Sequence, residues 1–404
     1  MEEYVGTSTP EFAVYEYVQD LLEISTNQPV IVGSPKLFLL LDEINCLKNR
    51  EVIDGKSIEI RETNFNDKNL KLIRFGDDYT KEKGKKIWLG IGACEIISGI
   101  KTGDNSKYVY KDERGRGNYR IFKPSSVLTI KQIAKLTDKE IEDGIDEKKY
   151  SGSYLVPLDK GGDSDTDHGF LPNYFVPTEY YLDWRIASVK GMYKEAHSDM
   201  ANPEYRFKNG ITYSRTGQYA PTFRISAGGI LESKSCGIFP KVYTEFYILG
   251  IINSKLARFL IKNFIMHTVE SSVGTLPTLV VPFSDENQRR KVESLVTSIV
   301  SNQQKDNEYD FLGNEQKDLD ALVYQLFNLT SEQINEVEIW FARRYPKLAK
   351  YAYIKPKEEL VKEEKKKVSA AGRIKELIAR EKAKHWSLKA ALNMTWIKKV
   401  HPPR

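Results

Sequence analysis

Residues 245–264, EFYILGIINSKLARFLIKNF, place the tightest constraint on how this chain can fold. Leu249, Ile252, Leu256, Phe259, Leu260 and Phe264 recur at helical spacing, so the segment reads as one amphipathic helix that needs an apolar surface to lie on. The stretch before it, 151–240, is of another kind. It is rich in Gly, Tyr, Pro and Ser, and turn signals separate its short apolar runs, as in β structure with long irregular loops. A helix that covers such strands gives an α+β fold, a mixed β-rich domain packed on an α-helical C-terminal part.

The rest of the chain divides around this centre. Residues 1–30 read as a capped helix, with Thr9-Pro10-Glu11 as its start and Phe12, Tyr15, Val18 and Leu22 along one face. Pro29-Val30-Ile31-Val32-Gly33 is a short strand or loop, and 37–47 a second helical piece. Within a region 31–130, the pattern from about Ser57 to Tyr110 turns towards strands, with Ile58-Glu59-Ile60-Arg61 alternating and Lys86-Ile87-Trp88-Leu89-Gly90-Ile91 as an apolar strand. A charged, helix-like connector spans 131–150. The core region, 151–284, contains the 245–264 helix. A helical subdomain, 285–345, holds helices at 285–302 and 316–327 and one from Ser331 to near Arg344, and a basic tail follows at 346–404.

Charge is distributed unevenly between these parts. The formal net charge of +5 comes from 61 basic and 56 acidic residues, but 347–404 alone holds 17 Lys and Arg against 6 Glu, a net of +11. The preceding residues therefore carry 44 basic and 50 acidic groups, a net of −6. The tail reads either as a solvated basic helix or, given Trp386, Leu388, Leu392 and Trp396, as a DNA clamp or docking helix. The longest apolar runs, 37–41 and 246–252, fall far short of the roughly 20 residues of a membrane span. The acidic start Met1-Glu2-Glu3 lacks a secretory signal pattern, and three scattered cysteines support neither a disulfide framework nor a CxxC metal site. The expected location is cytoplasmic, with no membrane partner.

Catalytic signatures are missing from the sequence. It has no GxxxxGK[ST] phosphate loop, no GxSxG elbow and no HExxH zinc helix. Asp163, Asp165, Asp167 and His168 fail the calcium-loop pattern, because no Gly stands at its sixth position and Tyr174 occupies its twelfth. Asn202-Pro203-Glu204-Tyr205 has Glu where an amino-methyltransferase loop needs a second Pro, and reads as a turn. No catalytic, cofactor-binding or metal-ligating residue is expected in this chain.

Four short motifs carry more information: Ser98-Gly99-Ile100-Lys101-Thr102-Gly103-Asp104-Asn105-Ser106-Lys107-Tyr108-Val109, in which Lys101, Thr102, Asn105 and Lys107 can donate to phosphates, Pro157-Leu158-Asp159-Lys160-Gly161-Gly162, Asn209-Gly210-Ile211-Thr212-Tyr213-Ser214-Arg215-Thr216-Gly217 running on to Tyr219 and Phe223-Arg224, and Gly237-Ile238-Phe239-Pro240 leading into Leu249-Gly250-Ile251-Ile252-Asn253-Ser254-Lys255. Their glycines allow close backbone approach, and their Lys, Arg, Ser, Thr and Asn side chains suit phosphate and base-edge contacts. In this order they resemble the C-terminal target-recognition (TaqI-like specificity) region of adenine-specific DNA methyltransferases of the BREX and combined restriction–modification type. Leu319-Asp320-Ala321-Leu322-Val323-Tyr324-Gln325-Leu326-Phe327 resembles the terminal helical signature of the same family, and the resemblance covers roughly 30–340.

That resemblance implies duplex DNA as partner, together with a methyltransferase subunit that carries S-adenosylmethionine. It implies that Lys101, Thr102 and Asn105 form a loop touching the DNA backbone, that Lys160 contacts phosphate, and that Ser214, Arg215, Tyr219 and Arg224 form the recognition surface. For Arg224 the bland alternative is pairing with a carboxylate inside the domain. For Trp184-Arg185 the choice is a stacking platform or core packing. Lys255, Arg258 and Lys262 are expected on the free face of the 245–264 helix. The competing functions are a degenerate methyltransferase or nuclease site in this chain, and a protein-binding decoy of such a system.

Overall fold

The computed structural model describes residues 35–41, 46–53, 55–82, 85–112, 119–161, 173–217, 219–266 and 273–354. The expected 1–30 helix, the acidic 163–168 loop and the tail beyond residue 354 lie outside the described residues. The chain divides into two units, Glu43–Asn328 and the pair of segments Met1–Asp42 and Leu329–Arg404. It has an α+β fold.

The strands of the larger unit run in chain order as β1 (Leu47–Ile53), β2 (Lys56–Phe65), β3 (Lys68–Arg74), β4 (Asp78–Glu82), β5 (Lys85–Gly90), β6 (Cys94–Ile97), β7 (Val109–Lys111), β8 (Arg120–Ile121), β9 (Leu155–Asp159), β10 (Tyr180–Asp183), β11 (Ile211–Ser214), β12 (Phe223–Ile225), β13 (Ile230–Leu231), β14 (Ser235–Pro240) and β15 (Val280–Pro282). They form sheets of order β1-β2-β3-β15, β13-β9-β10-β7-β8 and β12-β11-β14-β6, and a β4-β5 hairpin. In the first sheet, Asn66 and Asp67 take φ of 53° and 61°, the left-handed pair that a tight β2–β3 hairpin needs. Ile58 and Ile60 are fully buried on one face of β2, as their alternation predicts. Leu47 opens β1, so the helical reading of 37–47 holds only as far as the turns Pro35–Phe38 and Leu39–Leu41.

The second sheet packs Val109, Val156, Leu158, Tyr180, Leu182 and Ile230 into one core with Trp184, Val189 and Met192. The last two belong to a helix, Ile186–Met192, that the β-rich reading of 151–240 passed over. The charged connector folds as two short helices, Ile130–Ile133 and Asp138–Asp143. Each is opened by a threonine capping box, Thr129 with Gln132 and Thr137 with Glu140.

The segment 245–264 is divided, where the sequence reads as continuous. A helix Glu245–Asn253 ends at Ser254, a second runs Lys255–Leu260, and a π turn Ile261–Ile265 follows. Ser254 leaves helical geometry (φ −64°, ψ 156°) and caps both pieces, its hydroxyl bonding Ile251 O at 2.7 Å and accepting from Ala257 N at 3.1 Å. Lys255 and Arg258 are also not free, being only 3% and 4% exposed. Lys255 Nζ lies 3.7 Å from Asp320 Oδ2, and its backbone N–H donates to Asp320 Oδ1 at 2.8 Å. The expected apolar stripe is too narrow, because the segment is buried on several sides. Gly250 lies so close to the helix Glu286–Lys305 that a Cβ there would stand 2.6 Å from Val292 Cγ1. On another side Asn253 clamps β12, donating to Phe223 O at 2.9 Å and accepting from Phe223 N at 3.3 Å.

The helices Glu286–Lys305 and Glu315–Leu326 complete this unit, and Ser331–Arg344 with its Thr330–Gln333 capping box belongs to the other. Among the described residues no helix is long and apolar enough to cross a membrane.

Candidate nucleic-acid interface

The four motifs, spread from residue 98 to 240, meet on one short stretch, residues 229–235. Ile100 N donates to Leu231 O at 2.7 Å and Ser233 N to Ile100 O at 2.8 Å; Glu232 N donates to Asp159 O and Arg215 N to Lys234 O, each at 2.9 Å. β14, which holds Gly237-Ile238-Phe239-Pro240, continues directly from this stretch and pairs with both β6 and β11. The glycines make these meetings possible. A Cβ on Gly99 would stand 2.3 Å from Leu231 O, on Gly161 1.9 Å from Lys234 O, and on Gly229 2.0 Å from Pro157 O. The close approach that the glycines permit is to the chain's own backbone.

The first loop is held by its own side chains. Thr102 is buried and its hydroxyl donates to Asn105 Oδ1 at 2.6 Å. Asp104 caps the turn Asn105–Tyr108, accepting from Ser106 N at 3.0 Å. Lys107 pairs with Glu195 at 2.9 Å, an interaction that holds the Glu195 carboxyl below the usual carboxylate range. Lys101 differs: its backbone pairs with Asp199 while its side chain is exposed.

The third motif places its residues at different depths. Ser214 ends β11 opposite Ser235, and its Oγ is buried with no hydrogen-bond partner among the described residues. Arg215 and Tyr219 are half-buried in the loop that leads to β12. Arg224 is 3% exposed, and Nη2 makes one long bond to Ser235 Oγ at 3.4 Å. Burial pulls its pKa down and the charge of Asp159 pushes it up, although a guanidinium remains protonated in a protein. Burial raises the Asp159 pKa in turn, against the pull of Arg224 and the bonds from Ser226 Oγ and Ala227 N. Lys160 lies at the mouth of the same region, with Nζ 5.4 Å from the Tyr180 ring centre and 5.8 Å from that of Tyr119.

Trp184 is fully buried, its indole N–H donating to Glu140 O at 2.9 Å, so it belongs to the core and not to a stacking platform. Arg185 stacks on Tyr154 at 4.2 Å and is held in a two-pronged contact by Asp183 (3.0 and 2.6 Å). Lys262 is half-buried. Two residues escaped the sequence reading. Lys234 is exposed at the tip of the turn where the motifs meet. Its only signal was the short polar run Glu232-Ser233-Lys234-Ser235. Arg206 is buried under the charged connector, and nothing in its own neighbourhood in sequence announced that. No protein-family model matches the chain, and no curated protein matches it.

Proposed function

We propose that the larger unit binds duplex DNA and reads its sequence, as the specificity part of an adenine-N6 DNA methyltransferase or restriction–modification system acting in the cytoplasm. The observation that carries this reading is the meeting of four separate motifs on residues 229–235, where the backbones of Ile100, Asp159 and Arg215 bond to Leu231–Lys234 and so bring the chain at Lys101, Lys160, Arg215 and Lys234 to one short stretch. The exposed Lys101 and Lys234, with Lys160 and Arg215 half-buried, have the character of a surface that holds phosphates and aims one planar donor at a base edge. Thr102, Asn105 and Gly161 shape this surface from within. Ser214 precedes Arg215, Tyr219 lies further along the same loop, and Arg224 lies buried on β12, which pairs with β11. Methyl transfer and S-adenosylmethionine belong to a partner subunit in this proposal.

The test is duplex binding by the full chain across a range of salt concentrations. The reading expects affinity to fall steeply with salt, and Lys101→Gln or Lys234→Gln to reduce that slope by about one each. Binding that ignores salt, or no binding at low salt with the partner subunit supplied, sinks it.

A further inference from the structure

Beside β9 and β12 lies a cavity of about 40 Å³, walled by residues 158–160, 176–180, Arg224 and Ala227. At roughly 10–15 Å³ each, it has room for about three water-sized atoms. Val176, Pro177, Thr178 and Glu179 are half-buried, so this wall borders solvent. Four charged residues line the space: Arg224, Lys160, Asp159 and Glu179. Arg224 Nη1 is buried and has no hydrogen-bond partner among the described residues. Lys160 Nζ lies over two tyrosine rings and forms no ion pair among them. The Asp159 carboxylate, by contrast, is engaged by the turn after β12, where Oδ2 accepts from Ser226 Oγ at 2.9 Å and Ala227 N at 3.0 Å.

A buried guanidinium nitrogen without an acceptor is costly, and it persists where an acceptor arrives from outside. We propose that this cavity is an oxyanion site that takes the free oxygens of one phosphodiester of a nucleic-acid strand, with Arg224 and Lys160 as its donors. The inference rests on the DNA-binding reading and gives it a fixed anchor. The chemistry fits the size: a nucleobase is too large, while the two free oxygens of a phosphodiester fit the space. A planar guanidinium and a compact ammonium are a common donor pair for phosphate. Two carboxylates and two cations line the cavity. Glu179 therefore opposes an arriving anion, and its neutralisation should strengthen binding.

The experiment is calorimetric titration of the full chain with inorganic phosphate and, separately, with a short duplex. Arg224 is buried and its replacement could unfold the protein, so the variants are Lys160→Gln and Glu179→Gln on the cavity wall. Saturable phosphate binding is expected, weakened about fivefold or more by Lys160→Gln and tightened about twofold by Glu179→Gln, with the same directions for the duplex. Absence of saturable phosphate binding, or phosphate affinity unchanged in both variants, means the cavity holds water only and overturns the proposal. Duplex binding that is intact and indifferent to both variants overturns it too, while leaving the DNA reading standing. Phosphate binding with the expected variant effects, but no duplex binding, overturns the assignment to nucleic acid and leaves a free-phosphate site.

Discussion

Arg206 lies beneath the helix Asp138–Asp143, donating to the carbonyls of Ile141 (3.4 Å), Glu142 (3.3 Å) and Met200 (2.8 Å) and to the Tyr193 hydroxyl (3.3 Å). Its guanidinium lies 5.5 Å from the Trp184 ring centre. Arg224 is as deeply buried, yet it has a single 3.4 Å bond and a cavity beside it. Both are arginines of one unit, desolvated to the same degree, so the difference lies in what their donors meet. Arg206 ties two backbone segments, 141–142 and 200, and the Tyr193 hydroxyl together through both terminal nitrogens, leaving only its buried Nε without a partner among the described residues. Arg224 retains donor capacity, and only a neighbouring carboxylate offsets its charge.

Four experiments sharpen or break this contrast. Arg206→Met should have the largest effect, a loss of about 4 kcal/mol of stability by chemical denaturation, because several carbonyls lose their donor at once. A loss below that of Arg224→Met would invert the comparison. Arg224→Met should cost about 2 kcal/mol at neutral pH, mainly by leaving Asp159 buried without a counter-charge. This penalty has a pH signature. The folded-state pKa of Asp159 is raised, so its contribution to stability is full below the unfolded value of 3.8 and is lost as pH rises through the folded value. Removing Arg224 exaggerates that loss, so the penalty should shrink near pH 4 and grow towards pH 8, and Asp159→Asn added to Arg224→Met should remove most of the pH dependence.

A smaller effect belongs to the Arg206 side. Glu140 closes the capping box of the helix that Arg206 supports. Burial would raise its pKa, but Lys149 at 2.6 Å and the Thr137 N–H and hydroxyl outweigh that and hold it at about 2. Its contribution is present above the ordinary 4.5 and lost as pH falls through about 2. Glu140→Gln keeps the cap acceptor and loses the ion pair, so it should cost about 1 kcal/mol at pH 7, a cost that shrinks as pH falls from the ordinary 4.5 and vanishes only below the folded value of about 2. The smallest stability effect, under about 0.5 kcal/mol, is expected for Arg215→Gln, a half-buried loop residue.

Local signals were legible in the sequence. The helices that begin after Asp285 and Thr330 start with capping boxes written within four residues, and the alternation of Ile58-Glu59-Ile60 is a strand pattern at short range. The break at Ser254 was not legible, because Ser-Lys-Leu can continue a helix. The backbone N–H of Lys255 is instead taken by Asp320, 65 residues away. The motif glycines Gly99 and Gly161 showed that something approaches closely, but not that the approaching group is Leu231 or Lys234 of the same chain. Arg206 gave no sign because its partners are mostly carbonyls, and a carbonyl is present at every position.

The most direct test of the central claim is selection of preferred duplexes from a random pool by the full chain, with its partner subunit supplied, run in parallel with Arg215→Gln. The account predicts that one sequence is enriched, and that the variant, equally stable, loses preference at one base position by about 1–3 kcal/mol of discrimination while keeping its salt dependence. A pool that shows no enrichment, or a variant that selects the same sequence with undiminished preference, contradicts it.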